Sequence, residues 1–252
     1  MAEDYSGTET YATIESMLRR QMSPAQAAEQ ANRFSGSMFY WGEESLVNGG
    51  YYVGASIFFL FVLSLLVLDV KTRSWIIAAM LLSIFLAWGR HFEALNRLLF
   101  EHLPIYNKFR VPSMTLVIVF VVLPFAAMLG LQRWLDGSLS QEEKKKKLLR
   151  AGYIAGGFLV FFGLLVPQFM DFEGLRDQQL AQQGIDIDQL IADRKSILIK
   201  STFKSIAFAA AVFGLLWFYL KGTLAPKYLA VALGLVVVAD LWIFDKEHVS
   251  ND

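Results

Sequence analysis

Hydrophobic residues are concentrated in six runs along the chain, and polar or charged segments separate these runs. Because a helix of about 20 apolar residues crosses a bilayer, each run predicts a transmembrane helix. The six spans are predicted near residues 51–70, 75–91, 114–131, 152–170, 206–220 and 228–244. The second is the shortest, since its apolar part covers only 75–88, so it crosses the bilayer only with help from its flanks. The pattern predicts an all-α integral membrane protein with about six transmembrane helices.

The first 49 residues are polar and predict helices outside the membrane rather than a span. A first helix is expected from Thr8 to Met22. Ser23-Pro24 is a typical start for a second helix, which is expected to continue to about Arg33. Residues 1–49 are therefore interpreted as an extracytoplasmic helical segment and 50–244 as the six-span bundle. The last residues, 245–252, are interpreted as a truncated extracytoplasmic tail.

Basic residues in the connections predict the orientation of the bundle. The segments 71–74, 132–150 and 221–227 hold ten Lys and Arg in 30 residues, whereas the other segments outside the spans hold 13 in 117 residues. Loops rich in Lys and Arg stay in the cytoplasm. Both ends of the chain and the connections 89–113 and 171–205 are therefore predicted to lie on the opposite, outer side.

Composition agrees with a membrane protein and excludes other classes. Hydrophobic residues make up 55% of the chain and the mean hydropathy is +0.43, whereas soluble domains are about 45–50% apolar. The formal net charge is zero, so nothing favours a nucleic-acid partner. Cysteine is absent, and His91, His102 and His248 lack the spacing of metal ligands on one helix. We therefore expect the lipid bilayer as a partner, and neither metal, cofactor nor nucleic acid.

The connection between the second and third spans carries the most distinctive polar chemistry. An amphipathic helix that lies at the membrane surface is predicted from His91 to Leu103, because five apolar side chains share one face: Phe92, Leu95, Leu98, Leu99 and Leu103. Pro104 ends this helix, and Pro112 braces the far end of the segment that follows. The candidate anion-binding residues in and before this segment are Arg90, His91, Tyr106, Asn107, Lys108 and Arg110.

The connection 171–205 predicts a second interfacial helix. Its apolar stripe consists of Ile185, Ile187, Leu190 and Ile191. Four cations follow this stripe towards the fifth span, namely Arg194, Lys195, Lys200 and Lys204. We interpret these four side chains as a solvated group whose charged ends reach water while their stems cover apolar surface.

Other polar and small residues have competing interpretations. Glu93 lies four residues before Arg97, which favours a surface ion pair, while an acid–base role for Glu93 or His91 is the alternative. Asp240 lies in the last apolar run, where a carboxylate is costly, so it has a partner or function there or reaches nearby water. Lys144–Lys147 is interpreted as a cytoplasmic charge run and a contact for anionic lipid. The pair Gly156-Gly157 predicts close approach of another helix.

Several motifs follow one another in a characteristic order. They are Tyr40-Trp41-Gly42 with Gly50-Tyr51-Tyr52-Val53-Gly54, Trp88-Gly89, the run LPIYNKFRVPSM at 103–114, Asp193-Arg194-Lys195-Ser196, and Asp240-Leu241-Trp242 with Asp245-Lys246. In this order they resemble the YfhO family of bacterial polytopic membrane proteins, in the form common among Bacteroidetes. The resemblance covers essentially the whole chain, and the run at 103–114 is its most specific part.

The resemblance implies a GT-C-type glycosyltransferase of the bacterial cytoplasmic membrane. Such an enzyme takes a sugar from a polyprenyl-phosphate carrier and modifies cell-envelope polymers on the outer face. Family members are longer and use an acidic residue in their first outer loop as catalytic base. We therefore expect this chain to be the middle portion of such a protein, without that loop and without an assigned catalytic residue.

With a polyprenyl-phosphate donor, the cations of the 104–112 segment become candidate phosphate ligands. Arg110 offers a planar fork for phosphate oxygens and Lys108 a point charge. The alternative is that these side chains pair with lipid headgroups or with Glu101. Glu93 and Asp240 are the possible acidic partners. The alternative function is a non-catalytic membrane scaffold or a subunit of a lipid-linked-sugar transporter.

Overall fold

The structure is a computed structural model that describes residues 5–39, 52–88, 92–102 and 112–248. Within these ranges the α-helices are α1 (Glu9–Leu18), α2 (Pro24–Met38), α3 (Ala55–Val67), α4 (Val70–Ala87), α5 (Glu93–His102), α6 (Val117–Leu135), α7 (Gln141–Val160), α8 (Asp177–Gln182), α9 (Ile187–Leu220) and α10 (Pro226–His248). Short 3₁₀ turns and a π-helical turn at Phe161–Leu165 complete the regular structure of the described ranges.

The predicted fold class is confirmed, because the apolar helices are those of an all-α membrane protein with about six spans. Five helical stretches are long and apolar enough to cross a bilayer: Val70–Ala87, Met114–Leu135, Gln141–Gln168, Ile187–Leu220 and Pro226–Lys246. The sixth apolar helix, α3, has 13 residues and is therefore about 20 Å long.

The lengths of the first two apolar helices differ from the predicted ones. The second helix, α4, has 18 residues and begins at Val70, well before the apolar run that predicted it. Asp69 caps its start, because its carboxylate accepts hydrogen bonds from the Thr72 N–H at 3.0 Å and the Thr72 hydroxyl at 2.9 Å. The shorter helix in the structure is thus α3, whereas the sequence predicted the second span to be the shorter.

The predicted connection 171–205 and the fifth span are largely one element. Helix α9 has 34 residues, so it is about 51 Å long. It contains much of the predicted apolar stripe, all four cations that follow it and the whole predicted span. The polar part of α9 therefore continues directly into the apolar part, without a break.

The chain forms two compact units. The first consists of residues 1–54, 156–208 and 234–252, and the second of 55–155 and 209–233. In the first unit a buried apolar cluster joins α1 and α2 to the segment around α8 and the start of α9. Its members are Tyr5, Tyr11, Ile14, Ala31, Met38, Phe39, Leu180, Ile185 and Leu190.

Glycine allows close helix packing in both units. In the second unit, a Cβ on Gly130 of α6 would lie 2.2 Å from Ser64 Cβ and 2.4 Å from Ser64 Cα on α3. In the first unit, a Cβ on Gly163 would lie 2.2 Å from Thr202 Cγ2. These distances are too short for any other residue, so glycine sets the spacing of these helices.

The close approach predicted at Gly156-Gly157 is wrong. Within the described part of the chain, nothing lies within 4 Å of a Cβ built on either glycine. The reason is the direction of the helix face, because Gly157 lies on the exposed side of α7 whereas Ala151 and Ala155 are fully buried.

Candidate functional site

Most of the anion-binding residues predicted from the sequence lie outside the described part of the chain. This applies to Arg90, His91, Tyr106, Asn107, Lys108 and Arg110. Their roles therefore stay predictions. The structure does describe the helix that precedes the 104–112 segment, since α5 occupies Glu93–His102 within the predicted amphipathic helix.

Helix α5 carries an ion pair different from the one emphasised by the sequence. Arg97 Nε donates to Glu101 Oε1 at 3.0 Å, and both side chains are exposed. Glu93 lies at the start of α5, and its side chain is outside what the structure describes. Since Glu101 already accepts a hydrogen bond from Arg97, pairing of Glu101 with Lys108 or Arg110 would compete with that bond.

Asp240 is buried near the end of α10. Asp240 is only 2% exposed, so the interpretation that its carboxylate reaches water is wrong. The Tyr52 hydroxyl donates a hydrogen bond to Asp240 Oδ1 at 2.6 Å. The Tyr52 ring also stacks on Phe244, with ring centres 4.1 Å apart. Tyr52, which lies shortly before α3, therefore contacts both Asp240 and Phe244, one turn apart on α10.

The buried Asp240 carboxylate could take part in binding or catalysis, but Asp240 and Tyr52 alone do not form a complete functional site. A buried carboxylate is costly unless hydrogen bonds or charges compensate it, and the Tyr52 hydroxyl supplies one such bond. A carboxylate held in this way can position a hydrogen-bond donor. Within the described residues, no group of three His, Cys, Asp or Glu side chains is arranged to hold a metal ion.

Arg194 is the buried charged residue that the sequence analysis misinterpreted. It is 1% exposed, so its assignment to a solvated group of cations is wrong. Its guanidinium forms two parallel hydrogen bonds to Asp177, from Nη1 to Oδ2 and from Nη2 to Oδ1, each 2.8 Å long. It also donates to the backbone carbonyls of Phe172, at 2.8 Å, and of Met38. The planar fork of arginine suits this set of acceptors, which an ammonium group would not satisfy.

The backbone around residue 174 is shaped to receive this pair. Phe172 has a φ angle of 57° and is buried, an uncommon conformation for a large side chain. The Gly174 N–H donates to Asp177 Oδ2 at 2.8 Å. A Cβ on Gly174 would lie 3.1 Å from Asp177 Oδ1 and 3.2 Å from Arg194 Nη2, so a larger residue would crowd the pair.

The Asp177 carboxyl is held in its charged form. Burial alone would raise its pKa, but hydrogen bonds from Arg194 and the Gly174 N–H, together with the positive charge of Arg194, lower the pKa below its ordinary value of 3.8. The folded state therefore favours the carboxylate over the acid.

A second polar contact holds the N-terminal helices beside Arg194. Asp193 Oδ2 accepts a hydrogen bond of 2.9 Å from the Thr10 N–H at the start of α1. Asp193 Oδ1 accepts one of 3.3 Å from the Gln189 side chain. We call Thr10, Asp177, Asp193 and Arg194 the Arg194 cluster. Its polar bonds and the adjoining apolar cluster fix α1 and α2 to the segment that contains α8 and the start of α9.

A weak signal for the Arg194 cluster is present in the sequence. The adjacent charges Asp193 and Arg194 lie between Leu190 and Ile197, at the spacing of one helix face, and Ile197 packs against the apolar cluster. A charged pair inside an apolar stripe is typical of a buried contact. The partners could not be identified, because Asp177 is 17 positions away and Met38 is 156 positions away.

The basic run at the start of α7 is partly structural. Lys144 is buried, and its Nζ donates to the Leu135 carbonyl at the end of α6 at 3.3 Å. Lys147 Nζ donates to the Leu66 carbonyl near the end of α3. Two of the four lysines therefore satisfy carbonyls at helix C-termini, where a positive charge is also favoured by the helix dipole.

Comparisons of the chain with protein-family models, with curated proteins and with solved structures gave no match.

Proposed function

We propose that the chain is part of a polytopic membrane glycosyltransferase of the bacterial cytoplasmic membrane. It uses a polyprenyl-phosphate-linked sugar to modify cell-envelope polymers on the outer face. The observation that carries this proposal is the run at 103–114, with its resemblance to the YfhO family. In the proposed site, Lys108 and Arg110 bind the phosphate of the donor. The residues placed around them are Arg90, His91, Tyr106 and Asn107.

Hydrogen bonds between distant parts of the chain support a topology in which these parts lie on the same side of the membrane. The Thr10–Asp193 hydrogen bond joins segments separated by four apolar helices, α3, α4, α6 and α7. The Tyr52–Asp240 hydrogen bond joins segments separated by six. An even number of crossings returns the chain to the same side of a membrane. In the proposed topology, the connection 89–113 follows two crossings and lies on the same side, which the distribution of Lys and Arg favours as the outer one.

Asp240 supports the proposal as an acidic partner. Glycosyl transfer requires the removal of a proton from the acceptor hydroxyl, and binding of a lipid phosphate requires cations held in position. In this proposal, Asp240 and Glu93 position the cationic side chains of the site.

The test is sugar transfer from a radiolabelled polyprenyl-phosphate donor by membranes that contain the full-length protein. Arg110→Ala removes a charge-assisted bidentate contact, so we expect transfer to fall by about one to two orders of magnitude. Arg110→Lys should recover only part of the rate, because an ammonium lacks the fork. Arg97→Ala is the matched control, since it breaks only an exposed ion pair and should change transfer less than about twofold.

Three outcomes would contradict the proposed phosphate site or the proposed activity. If Arg110→Ala transfers sugar at the wild-type rate with unchanged donor affinity, the 104–112 segment only braces the membrane surface. If the wild-type protein moves the intact lipid-linked sugar across vesicles without transferring the sugar, it belongs to a transporter. A protein that does neither is a scaffold.

A further inference from the structure

Two ammonium groups lie against one tryptophan where α9 ends. Lys145 Nζ, near the start of α7, is 5.8 Å from the centre of the Trp217 ring. Lys221 Nζ, which directly follows α9, is 5.9 Å from the same ring. Trp217 is half-buried, whereas both lysines are exposed. The structure thus presents two cations and an aromatic face together at one end of two membrane-spanning helices.

Packing between α7 and α9 fixes this arrangement. A Cβ on Gly152 would lie 3.2 Å from the Phe213 ring, so the two helices are in close contact there. Phe213 stacks on Trp217 with ring centres 5.9 Å apart. Lys145 lies about two turns before Gly152 on α7, and Trp217 about one turn after Phe213 on α9. The contact at Gly152 therefore sets the positions of both Lys145 and Trp217.

The two ammonium groups lack a carboxylate partner among the described residues, since none of the ion pairs there includes Lys145 or Lys221. Glu143 is close in sequence, but it accepts hydrogen bonds from the N–H and hydroxyl of Ser140, both at 2.9 Å. This capping box directs its carboxylate to the start of α7. Glu142, beside it, is exposed. Neither ammonium group near this ring therefore has a counter-charge among the described ion pairs, and an anion bound beside the ring would supply one.

Neighbouring cations do not share this property. Lys144 and Lys147 bond to helix-terminal carbonyls, as described above, and Arg73 Nη1 donates to the Leu65 carbonyl at 3.2 Å. These three side chains have structural acceptors. Lys144 also lies 5.8 Å from a ring, that of Trp134, but it is buried and bonded to a carbonyl. Lys145 and Lys221 differ because they are exposed and their described contact is with the Trp217 ring.

Exposed apolar residues follow Lys145 on α7 and Trp217 on α9. Tyr153 is 78% exposed and lies eight residues, or just over two turns, after Lys145 on α7. Phe218, which follows Trp217, is also exposed. A charged end beside an apolar surface fits an amphiphile, and tryptophan with lysine is typical of the membrane–water interface. We propose that Lys145, Lys221 and Trp217 bind the headgroup of an anionic phospholipid whose acyl chains lie along α7 at Tyr153.

The test is lipid binding to the purified full chain in a mild detergent, with bound lipid counted by native mass spectrometry during titration. Phosphatidylglycerol is the anionic probe and phosphatidylcholine the zwitterionic one. The wild-type protein should retain phosphatidylglycerol preferentially. Lys145→Gln with Lys221→Gln should weaken its binding at least about tenfold, since each basic residue near a membrane surface contributes substantially to anionic-lipid affinity.

The control is a double variant that also loses two positive charges, but at lysines that do not lie against the Trp217 ring. Lys71→Gln with Lys146→Gln alters two exposed lysines on the same predicted side of the membrane and should change phosphatidylglycerol binding less than about twofold. Trp217→Phe is a second variant that preserves aromatic packing with Phe213. It should weaken phosphatidylglycerol binding while leaving the thermal unfolding of the lipid-free protein unchanged, so it decides the matter even if the double variant misfolds.

Three results would overturn the proposal. Equal weakening by both double variants would mean that only diffuse charge attracts the lipid. Equal retention of phosphatidylcholine and phosphatidylglycerol would mean that the contact is only apolar. Displacement of phosphatidylglycerol by inorganic phosphate at matched concentration would mean that the lysines bind a free anion rather than a lipid headgroup.

Discussion

At the scale of single residues, adjacent cations of α9 occupy different environments. Arg194 is buried among carboxylate and carbonyl acceptors from three other segments. Lys195, the next residue, instead donates to the Gln168 side chain at 2.9 Å at the surface. Successive helix positions are about 100° apart, so neighbouring side chains point in different directions. The charge of a residue therefore says little about its role until its face of the helix is known.

The first prediction concerns the buried Asp177–Arg194 pair. Asp177→Asn removes the negative charge and leaves the Arg194 guanidinium buried without a counter-charge, a type of change that costs about 3–5 kcal/mol. We expect α1 and α2 to detach from the α8 segment more readily. Hydrogen exchange measured at neutral pH should show faster exchange of the amides of α1 and α2 in the variant.

The pH dependence of this contact has a definite direction. Because the folded state lowers the pKa of Asp177 below 3.8, the pair contributes its full stability above that pH. The contribution is lost as the pH falls through the lower, folded-state pKa. Wild-type amides of α1 and α2 should therefore lose protection in acid, and Asp177→Asn should remove the part of this pH dependence that Asp177 causes.

The matched control is Asp136→Asn, which alters an exposed carboxylate paired with Arg133 at 3.3 Å. It should leave the exchange of α1 and α2 unchanged at every pH, because exposed pairs contribute little. Equal protection of α1 and α2 in the wild type and in Asp177→Asn would show that the apolar cluster alone holds these helices.

At the scale of helices, packing depends on which face each small residue occupies. Gly130 lies against the backbone of Ser64, which cannot move away without displacing α3. Gly156 is surrounded by open space in the described structure. The same amino acid is therefore required for packing at one position and is unused at the other.

The second prediction compares alanine at these two glycines. In Gly130→Ala, the added methyl group would overlap Ser64 Cβ and Cα, so we expect a loss of about 1–3 kcal/mol or more from overpacking. In Gly156→Ala, the gain in helix propensity should make the protein neutral to about 1 kcal/mol more stable. Thermal unfolding in detergent measures both. Equal melting temperatures for the two variants would contradict the assigned α3–α6 packing.

Hydrophobic patterning predicted the helices better than their limits. Each of the six apolar runs coincides with a helix, because a long apolar segment leaves its backbone groups no partner but the helix itself. Helix ends depend on local bonds that the runs do not reveal, such as the Asp69 cap of α4. The continuity of α9 was missed because its polar first half lacks the apolar composition that marks a span.

The candidate site was less accessible to sequence reasoning. Asp240 was selected because a carboxylate in an apolar run is unusual, and the structure adds its partner Tyr52, 188 positions away. Arg194 was misassigned because its acceptors come from distant segments and include backbone carbonyls, which no residue pattern encodes. The cationic residues at 104–112 lie outside the described chain, so their proposed phosphate role still depends on the resemblance.

At the scale of the whole molecule, long-range contacts restrict the topology. The Thr10–Asp193 and Tyr52–Asp240 hydrogen bonds each require an even number of crossings between their ends. If α3 or α4 alone failed to cross, both counts would become odd. If the other apolar helices all cross, α3 and α4 therefore either both cross or both fail to cross.

The last prediction tests this topology by cysteine labelling, which is straightforward because the natural chain has no cysteine. Single cysteines at the exposed positions Gln30 and Gln182 should react with a membrane-impermeant maleimide in intact cells, as should one at Asn107. A cysteine at the exposed Ser138, which follows three crossings, should react only after the membrane is permeabilised. Gln30 and Gln182 must behave alike in any topology that preserves the Arg194 cluster. If they react while Asn107 is protected, only one of α3 and α4 crosses and only one of α6 and α7 crosses, and the proposed phosphate site loses its place on the outer face.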